Sequence, residues 1–128
     1  MTRTSFSAPD AAPPAGPYSH AVRVSGELLF AAGQGPFDKD GKRIGETFEE
    51  QVHATLDNVE AIAKAGGASL ADAVRLGVFI KDMADFPKLN AVFAERLSEP
   101  FPVRTTVPAD LQGFDVEIDG VFAVPAGG

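Results

Sequence analysis

The chain contains no cysteine. That absence excludes disulfides, thiolate zinc sites and cysteine nucleophiles. Histidine is nearly absent too: His20 and His53 are far apart and form no H-x-x-x-H or H-E-x-x-H pair, so a metal centre has little support. Positive charge is sparse. The 11 Lys and Arg face 18 Asp and Glu, the formal net charge is −7, and the close basic pair Lys42–Arg43 falls in a Gly-containing turn. A protein that follows a nucleic-acid backbone shows a basic stripe, so no nucleic-acid partner is expected. No apolar run approaches the length of a membrane span, and Met1–Phe6 lack the apolar core of a signal peptide. The expectation is a soluble cytoplasmic protein without a membrane partner.

What is present fits one globular domain over residues 1–128, with a hydrophobic fraction of 45%. Residues 1–15 are rich in Ala, Pro and Ser, and Pro13-Pro14 forbids helix, so they read as an extended arm. Pro125–Gly128 read as a frayed tail. Ala21–Val24 and Glu27–Ala32 read as two strands around a Ser25-Gly26 turn. Gly33-Gln34-Gly35-Pro36 breaks the second strand, Asp38–Gly41 turns, and Arg43-Ile44 form a weak strand. Thr47 with Glu50 is a capping box that opens a helix. Val52, Leu56, Val59 and Ala63 recur at helical spacing, Gly66-Gly67 ends the run, and Ser69–Asp72 is a short capped turn.

Val74, Leu76, Val78 and Ile80 alternate with Arg75, Gly77 and Phe79, which predicts a strand. Asp85 is expected to cap a second helix with Pro87 in its first turn and a buried stripe of Leu89, Phe93 and Leu97. Val103–Val107 and Asp115–Val124 are the last strands. The order β-β-(β)-α-β-α-β-β predicts an α+β fold, with two helices on one face of a mixed, mainly antiparallel sheet. The other face, expected to carry Leu29, Ala31, Phe79, Val121 and Ala123, would be left uncovered, which points to self-association.

Two charges lie inside the strand-forming runs, and burying a charge is costly unless it is paired or used. Arg104 offers a planar fork that matches a carboxylate; the other reading is a strand arginine paired with a neighbouring acid. Glu117 alternates with Val116 and Ile118 and shares its face with Asp119. Paired carboxylates can do acid–base work, but Asp119 reads better as part of a solvated sheet face. Gly16-Pro17 makes a stiff turn that fixes Tyr18 as a phenolic donor or as an anchor of the arm. His20 could serve as a base, although no partner pattern accompanies it, and it reads as structural. Gly33 and Gly35 lack the companions of a phosphate loop and suit a close backbone approach. Asn90 is either an exposed residue or a polar contact near the sheet end, and His53 reads as solvent-facing.

Taken in order, several segments resemble the Rid (YjgF-like) family of reactive-intermediate deaminases. They are Ala15–Ala21, Leu29–Gln34, Leu56–Val59, Val78–Phe86, Leu89-Asn90, Pro102–Val107 and Val116–Ile118. The resemblance implies a chorismate-mutase-like α+β fold, a homotrimer with sites between subunits, and no cofactor. It also implies hydrolysis of enamines and imines such as 2-aminoacrylate, a small carboxylate-bearing substrate, to a 2-oxo acid and ammonia. Carried onto this chain, it makes Arg104 the carboxylate clamp and Glu117 the water-handling group. Tyr18 would line the pocket from a neighbouring subunit, while Thr106, Gly33, Ala32 and Asn90 would face the ligand. The chain departs from the family where Ala32 replaces a common serine, His20 a common glutamine, and Thr106 stands where Cys or Thr occurs. Substrate and rate stay open. The alternatives are a different pathway-specific enamine, a non-catalytic carboxylate-binding trimer, and an endoribonuclease, which the acidic charge disfavours.

Overall fold

Thr47 starts the longest helix as its sequence predicts. In the computed structural model, which describes residues 2–126, α1 runs Phe48–Ala65. The Thr47 hydroxyl accepts the Glu50 amide at 3.1 Å, and the Glu50 carboxylate accepts the Thr47 and Glu46 amides at 2.9 Å each. Those backbone bonds, the one from Thr47 first, hold Glu50 below its ordinary carboxylate pKa. One face of α1 buries Val52, Leu56, Val59 and Ala63 completely. Each of the larger side chains contributes about 1.5–3 kcal/mol by leaving water.

The strands are β1 (Thr2–Phe6), β2 (Ala21–Ser25), β3 (Leu28–Gln34), β4 (Ala73–Ile80), β5 (Val103–Pro108) and β6 (Val116–Ala123); α2 spans Phe86–Arg96. The main sheet has the order β3-β6-β4-β5. Its β3–β6 and β4–β6 pairs are antiparallel and its β4–β5 pair is parallel, with α2 supplying the crossover that a parallel pair needs. Leu76, Val78, Ile80, Val116, Ile118 and Phe122 join the α1 and α2 stripes in one core. This is the expected α+β arrangement, two helices on one face of a mixed sheet. No helix among the described residues is long and apolar enough to cross a membrane.

Several local expectations are corrected. The stretch read as an arm carries strand β1, which pairs antiparallel with β2 in a separate two-stranded sheet. The predicted hairpin of β2 with β3 therefore does not form: β3 finds its partner in β6 instead. Arg3 explains how β1 is held, since its guanidinium donates to Ala73 O at 2.8 Å and Pro100 O at 2.9 Å. Arg43-Ile44 form no strand, and only a Phe37–Arg43 bridge marks the site. Asp85 stands at the start of α2 without a capping bond, and Asp82 caps the preceding short turn by accepting the Ala84 amide. Burial raises the Asp85 pKa. The tail expectation falls partly on Gly127 and Gly128, which with Met1 lie outside the described residues.

The faces of β3 are also reversed from expectation. Leu29 opposes Phe122 and Ala31 opposes Gly120, so both turn toward the helices, and Leu29 packs against the Gly66 backbone at the end of α1. Leu28 and Phe30 take the open face, where Phe30 is 72% exposed. A strand alternates with period two, so a one-residue misassignment exchanges the faces. Phe79 and Val121 lie half-buried on the open face as expected, whereas Ala123 is fully buried.

Candidate functional site

Arg104 is placed on the helix-covered side of the sheet. It pairs with Leu76, and residues directly opposite in a ladder share a face. The edge position of β5 leaves its guanidinium against α2 and the Gly16–Tyr18 turn. Its Cζ lies 4.8 Å from the Tyr18 ring centroid and 5.3 Å from those of Phe86 and Phe93. Nη2 donates to Asn90 Oδ1 at 2.7 Å. Asn90 is itself oriented, because its Nδ2 donates to Ala15 O at 3.1 Å. Phe86, Asn90 and Phe93 follow the i, i+4, i+7 spacing that lines one face of a helix.

Among the described residues the Arg104 side chain has no acidic partner. The residue is only 7% exposed, and its Nε and Nη1 are buried without a hydrogen bond among the described residues. Burial pulls the guanidinium below its ordinary pKa, and the Tyr18 phenol works weakly against that. The reading of Arg104 as an arginine paired with a neighbouring acid is therefore excluded among the described residues. Such a group costs several kcal/mol. Each aromatic face recovers about 0.5–2 kcal/mol. Thr106, two residues along the same strand face, adds a buried hydroxyl without a hydrogen bond among the described residues. Tyr18, Phe86, Arg104, Thr105 and Thr106 line a cavity of about 300 Å³.

The Tyr18 turn is stitched in place. The Tyr18 hydroxyl accepts the Ala15 amide at 2.9 Å, and the Ser19 amide donates to Pro102 O at 3.0 Å. Tyr18 thus stacks over the Arg104 of its own chain. His20 has a structural role: Nδ1 accepts the Ala8 amide at 2.9 Å and Nε2 faces Ala12 O at 2.6 Å. These partners assign the neutral tautomer with the proton on Nε2. Both ring nitrogens are spent on the arm.

Glu117 lies elsewhere. It opposes Phe79 on the open face of the sheet, half-buried, and makes no hydrogen bond or ion pair among the described residues. β3 carries an irregularity between Ala31 and Gln34, a bulge that inserts one residue relative to β6. The bulge brings the Gly33 backbone under the Glu117 carboxylate. A Cβ at Gly33 would stand 2.5 Å from Glu117 Oε2, so only glycine lets the carboxylate lie there. Ala32 is exposed beside it. Glu117, Gly33, Gly35, Phe37, Asn58 and Phe114 are among the walls of a cavity of about 370 Å³. Asp119 on the same face is occupied: it accepts from Arg75 Nη1 and from the Gly77 amide, each at 3.1 Å.

Arg104 and Glu117 therefore occupy separate cavities of one chain. β5 and β6 are not neighbours, because β4 runs between them. Arg104 pairs with Leu76 and Glu117 with Phe79, on opposite faces. Two strand spacings and three residues separate them, roughly 10 Å in each direction. Sequence reasoning identified both charges and the Tyr18, Asn90, Thr106 and Gly33 neighbourhood. It missed the Phe86–Phe93 cage and the Phe37–Phe114 wall. The 86-90-93 spacing was the available signal for the first; no local signal existed for the second.

His53 is half-buried rather than solvent-facing: Arg96 reaches its Nδ1 at 3.1 Å and Glu95 lies 3.7 Å from Nε2. No group of three or more His, Asp or Glu side chains among the described residues is placed to hold a metal ion.

Comparison with known proteins places these features in context. The family model described as Endoribonuclease L-PSP matches residues 9–124. A RutC family protein of Pyrococcus horikoshii is 41% identical over 107 residues, covering 83% of this chain and 84% of the relative. A protein of Dermatophagoides farinae named 2-iminobutanoate/2-iminopropanoate deaminase is 34% identical over 122 residues, covering 93% and 94%. Among solved structures, RidA from the Antarctic bacterium Psychrobacter sp. PAMC 21119 superposes with a TM-score of 0.72 at 35% identity, covering 94% of this chain and 99% of that one.

Proposed function

The chain belongs to the Rid (YjgF-like) family, and from that membership we propose that it is a hydrolytic deaminase of reactive enamines and imines derived from amino acids. The observation that carries the reading is Arg104: a guanidinium 7% exposed, ringed by aromatic faces, with no acid beside it among the described residues. A buried cation of this kind suits a carboxylate that arrives with the substrate. Its Nε and Nη1 make no hydrogen bond among the described residues and remain available to an incoming carboxylate.

The chemistry asks for little beyond positioning. 2-Aminoacrylate tautomerises to 2-iminopropanoate, whose imine carbon is already electrophilic. Glu117 takes a proton from water as the water oxygen bonds to that carbon, and passes it to the imine nitrogen, giving a carbinolamine. Glu117 then takes the hydroxyl proton as the C=O bond forms and the C–N bond breaks, and returns it to the departing nitrogen, so that ammonia leaves and a 2-oxo acid remains. Orientation and one proton relay are the contributions required. Thr106 and Asn90 border the carboxylate, while Gly33 and Ala32 border the water.

The two cavities suggest how the site is completed. One chain keeps Arg104 and Glu117 on opposite sheet faces, so a second copy brings its Glu117 to the first copy's Arg104. A head-to-tail ring of three copies satisfies this and covers Leu28 and Phe30 on the open face. This is the homotrimer proposed here, and it acts on small carboxylate-bearing imines.

The test is ammonia release from enzymatically generated 2-aminoacrylate. The chain accelerates it, and Arg104→Ala and Glu117→Ala each remove most of the acceleration; full activity in both variants would sink the mechanism. A non-catalytic binder would take up propanoate without accelerating release. RNA cleavage is assayed with the same variants, since a contaminating nuclease ignores both. A 13.4 kDa particle in light scattering would overturn the trimer.

A further inference from the structure

Beyond Glu117 the second cavity has walls the hydrolysis itself does not need. Phe37 and Phe114 meet edge to face, with centroids 5.1 Å apart and planes at 70°. The Phe37 ring lies directly on the Gly35 backbone, where a Cβ would stand 2.6 Å from its Cε2. Gly33 and Gly35 thus form a shelf: the first supports the Glu117 carboxylate, the second an aromatic ring. The shelf is fixed from behind by α1. Asn58 Nδ2 donates to Gly35 O at 3.0 Å and to Phe37 O at 2.9 Å.

Other polar groups around the cavity are partly engaged. Gln34 Nε2 is turned back on the Gly33 and Ala32 carbonyls, and Asp38 Oδ1 accepts the Asp40 and Lys42 amides. Glu117 and the two phenyl rings form the wall, with Gln34, Asp38 and Lys39 completing the lining. A volume of about 370 Å³ exceeds what the methyl group of 2-iminopropanoate fills.

We propose that the Phe37–Phe114 wall is a side-chain subsite, and that this chain acts preferentially on imines of aromatic amino acids. The inference rests on the deaminase reading and names its substrate class. A third ring entering the wall buries apolar area and adds an edge or face contact. Discrimination by an apolar pocket typically reaches about tenfold or more. Phe114 is the specificity-determining residue, and Asn58 a positioning residue that holds the opposite ring.

The experiment uses the full chain and imines generated in place by an amino-acid oxidase acting on alanine or phenylalanine, with semicarbazide competing for the imine. Binding of propanoate and 3-phenylpropanoate is measured in parallel by NMR titration. The expected result is at least a tenfold higher kcat/KM for the phenylalanine-derived imine, with phenylpropanoate bound tighter by a similar factor. Phe114→Ala collapses both ratios toward one, through KM rather than kcat. Phe114→Leu, which keeps the bulk, retains part of each. Hydrolysis of both imines at similar kcat/KM, or an unchanged ratio in Phe114→Ala, overturns the subsite and leaves the deaminase standing. Hydrolysis of neither imine overturns the deaminase reading and the subsite with it.

Discussion

The Arg104 pocket and the Glu117 pocket are built on opposite principles. Arg104 is desolvated, caged by three rings and held by one neutral amide. Glu117 is half-exposed, unpartnered among the described residues and carried on a bare glycine backbone. The first arrangement spends folding stability to hold a charge ready for an anion. The second leaves a half-exposed carboxylate lying on a glycine backbone and open to solvent. Under the proposed mechanism, binding and proton transfer make different electrostatic demands, and the two pockets differ in the way those demands require.

The sharpest break between the two pockets is the relation of stability to activity. Arg104→Met keeps the bulk of the side chain and removes an unpaired buried charge. Replacement of buried ions by apolar groups is often neutral or stabilising. The variant is therefore expected to melt at or above the parent temperature while losing kcat/KM by about a thousandfold, the loss expected when a charged contact worth a few kcal/mol is removed. Calorimetry beside the ammonia assay checks it, and a variant that melts clearly lower would show that the guanidinium supports the fold.

Glu117→Gln comes next. Its side chain makes no hydrogen bond or ion pair among the described residues, so stability stays level while kcat falls by about a hundredfold or more, the usual contribution of one acid–base group. Mixing Arg104→Met with Glu117→Gln subunits sharpens the comparison. If the pockets join across a subunit boundary, random trimers of the two restore roughly a quarter of the sites, by symmetry alone. Unfolding and refolding the mixture, then assaying it, reads this directly. No recovery would place both residues in a site from one chain.

Much of this was legible in the sequence because it depends on local rules. The Thr47–Glu50 box, the α1 stripe and the Leu76–Val78–Ile80 alternation each follow from residue spacing and form as expected, whereas a register shift between Ala73 and Arg75 puts Ala73 rather than Val74 in the core. Arg104 and Glu117 stand out because a charge in a strand needs an account. What was not legible depends on pairing. The sequence makes β5 and β6 consecutive, but β4 separates them, and only the ladder order reveals that the two charges face opposite ways. The strand in the arm was hidden because Thr2–Phe6 has no strong alternation and is held by Arg3, a contact to residues far along the chain. The reversal of β3 is a one-residue slip across Leu28–Ala31, set by their pairing with β6, and the bulge that follows gives no warning except a glycine inside a strand.

Gly33 tests the wet pocket alone. A Cβ there meets only the far end of a flexible side chain, so Gly33→Ala is expected to fold normally while Glu117 swings aside. Displacing a catalytic group by about an ångström costs on the order of ten- to a hundredfold. The loss should appear in kcat with propanoate binding unchanged, because the carboxylate clamp is untouched. A loss in binding instead would mean that Gly33, not Arg104, sets the affinity.

The smallest effect belongs to a region outside both pockets. Thr47→Ala deletes the hydroxyl that accepts the Glu50 amide, and losing such a cap costs about 1 kcal/mol. Catalysis should not change. The pH dependence has a definite sign. Backbone hydrogen bonds lower the folded-state pKa of Glu50 from an ordinary value of 4.5, so the folded chain holds its proton less tightly than the unfolded one. Its stabilising contribution is full above pH 4.5 and is lost as pH falls through the lower folded value. Glu50→Gln should accordingly lower the urea midpoint at neutral pH, with the gap to the parent closing in acid. Arg104→Met carries no such acid dependence, because the guanidinium stays charged throughout that range. A gap that persists at low pH would show that the amide contacts of residue 50, and not its charge, hold the start of α1.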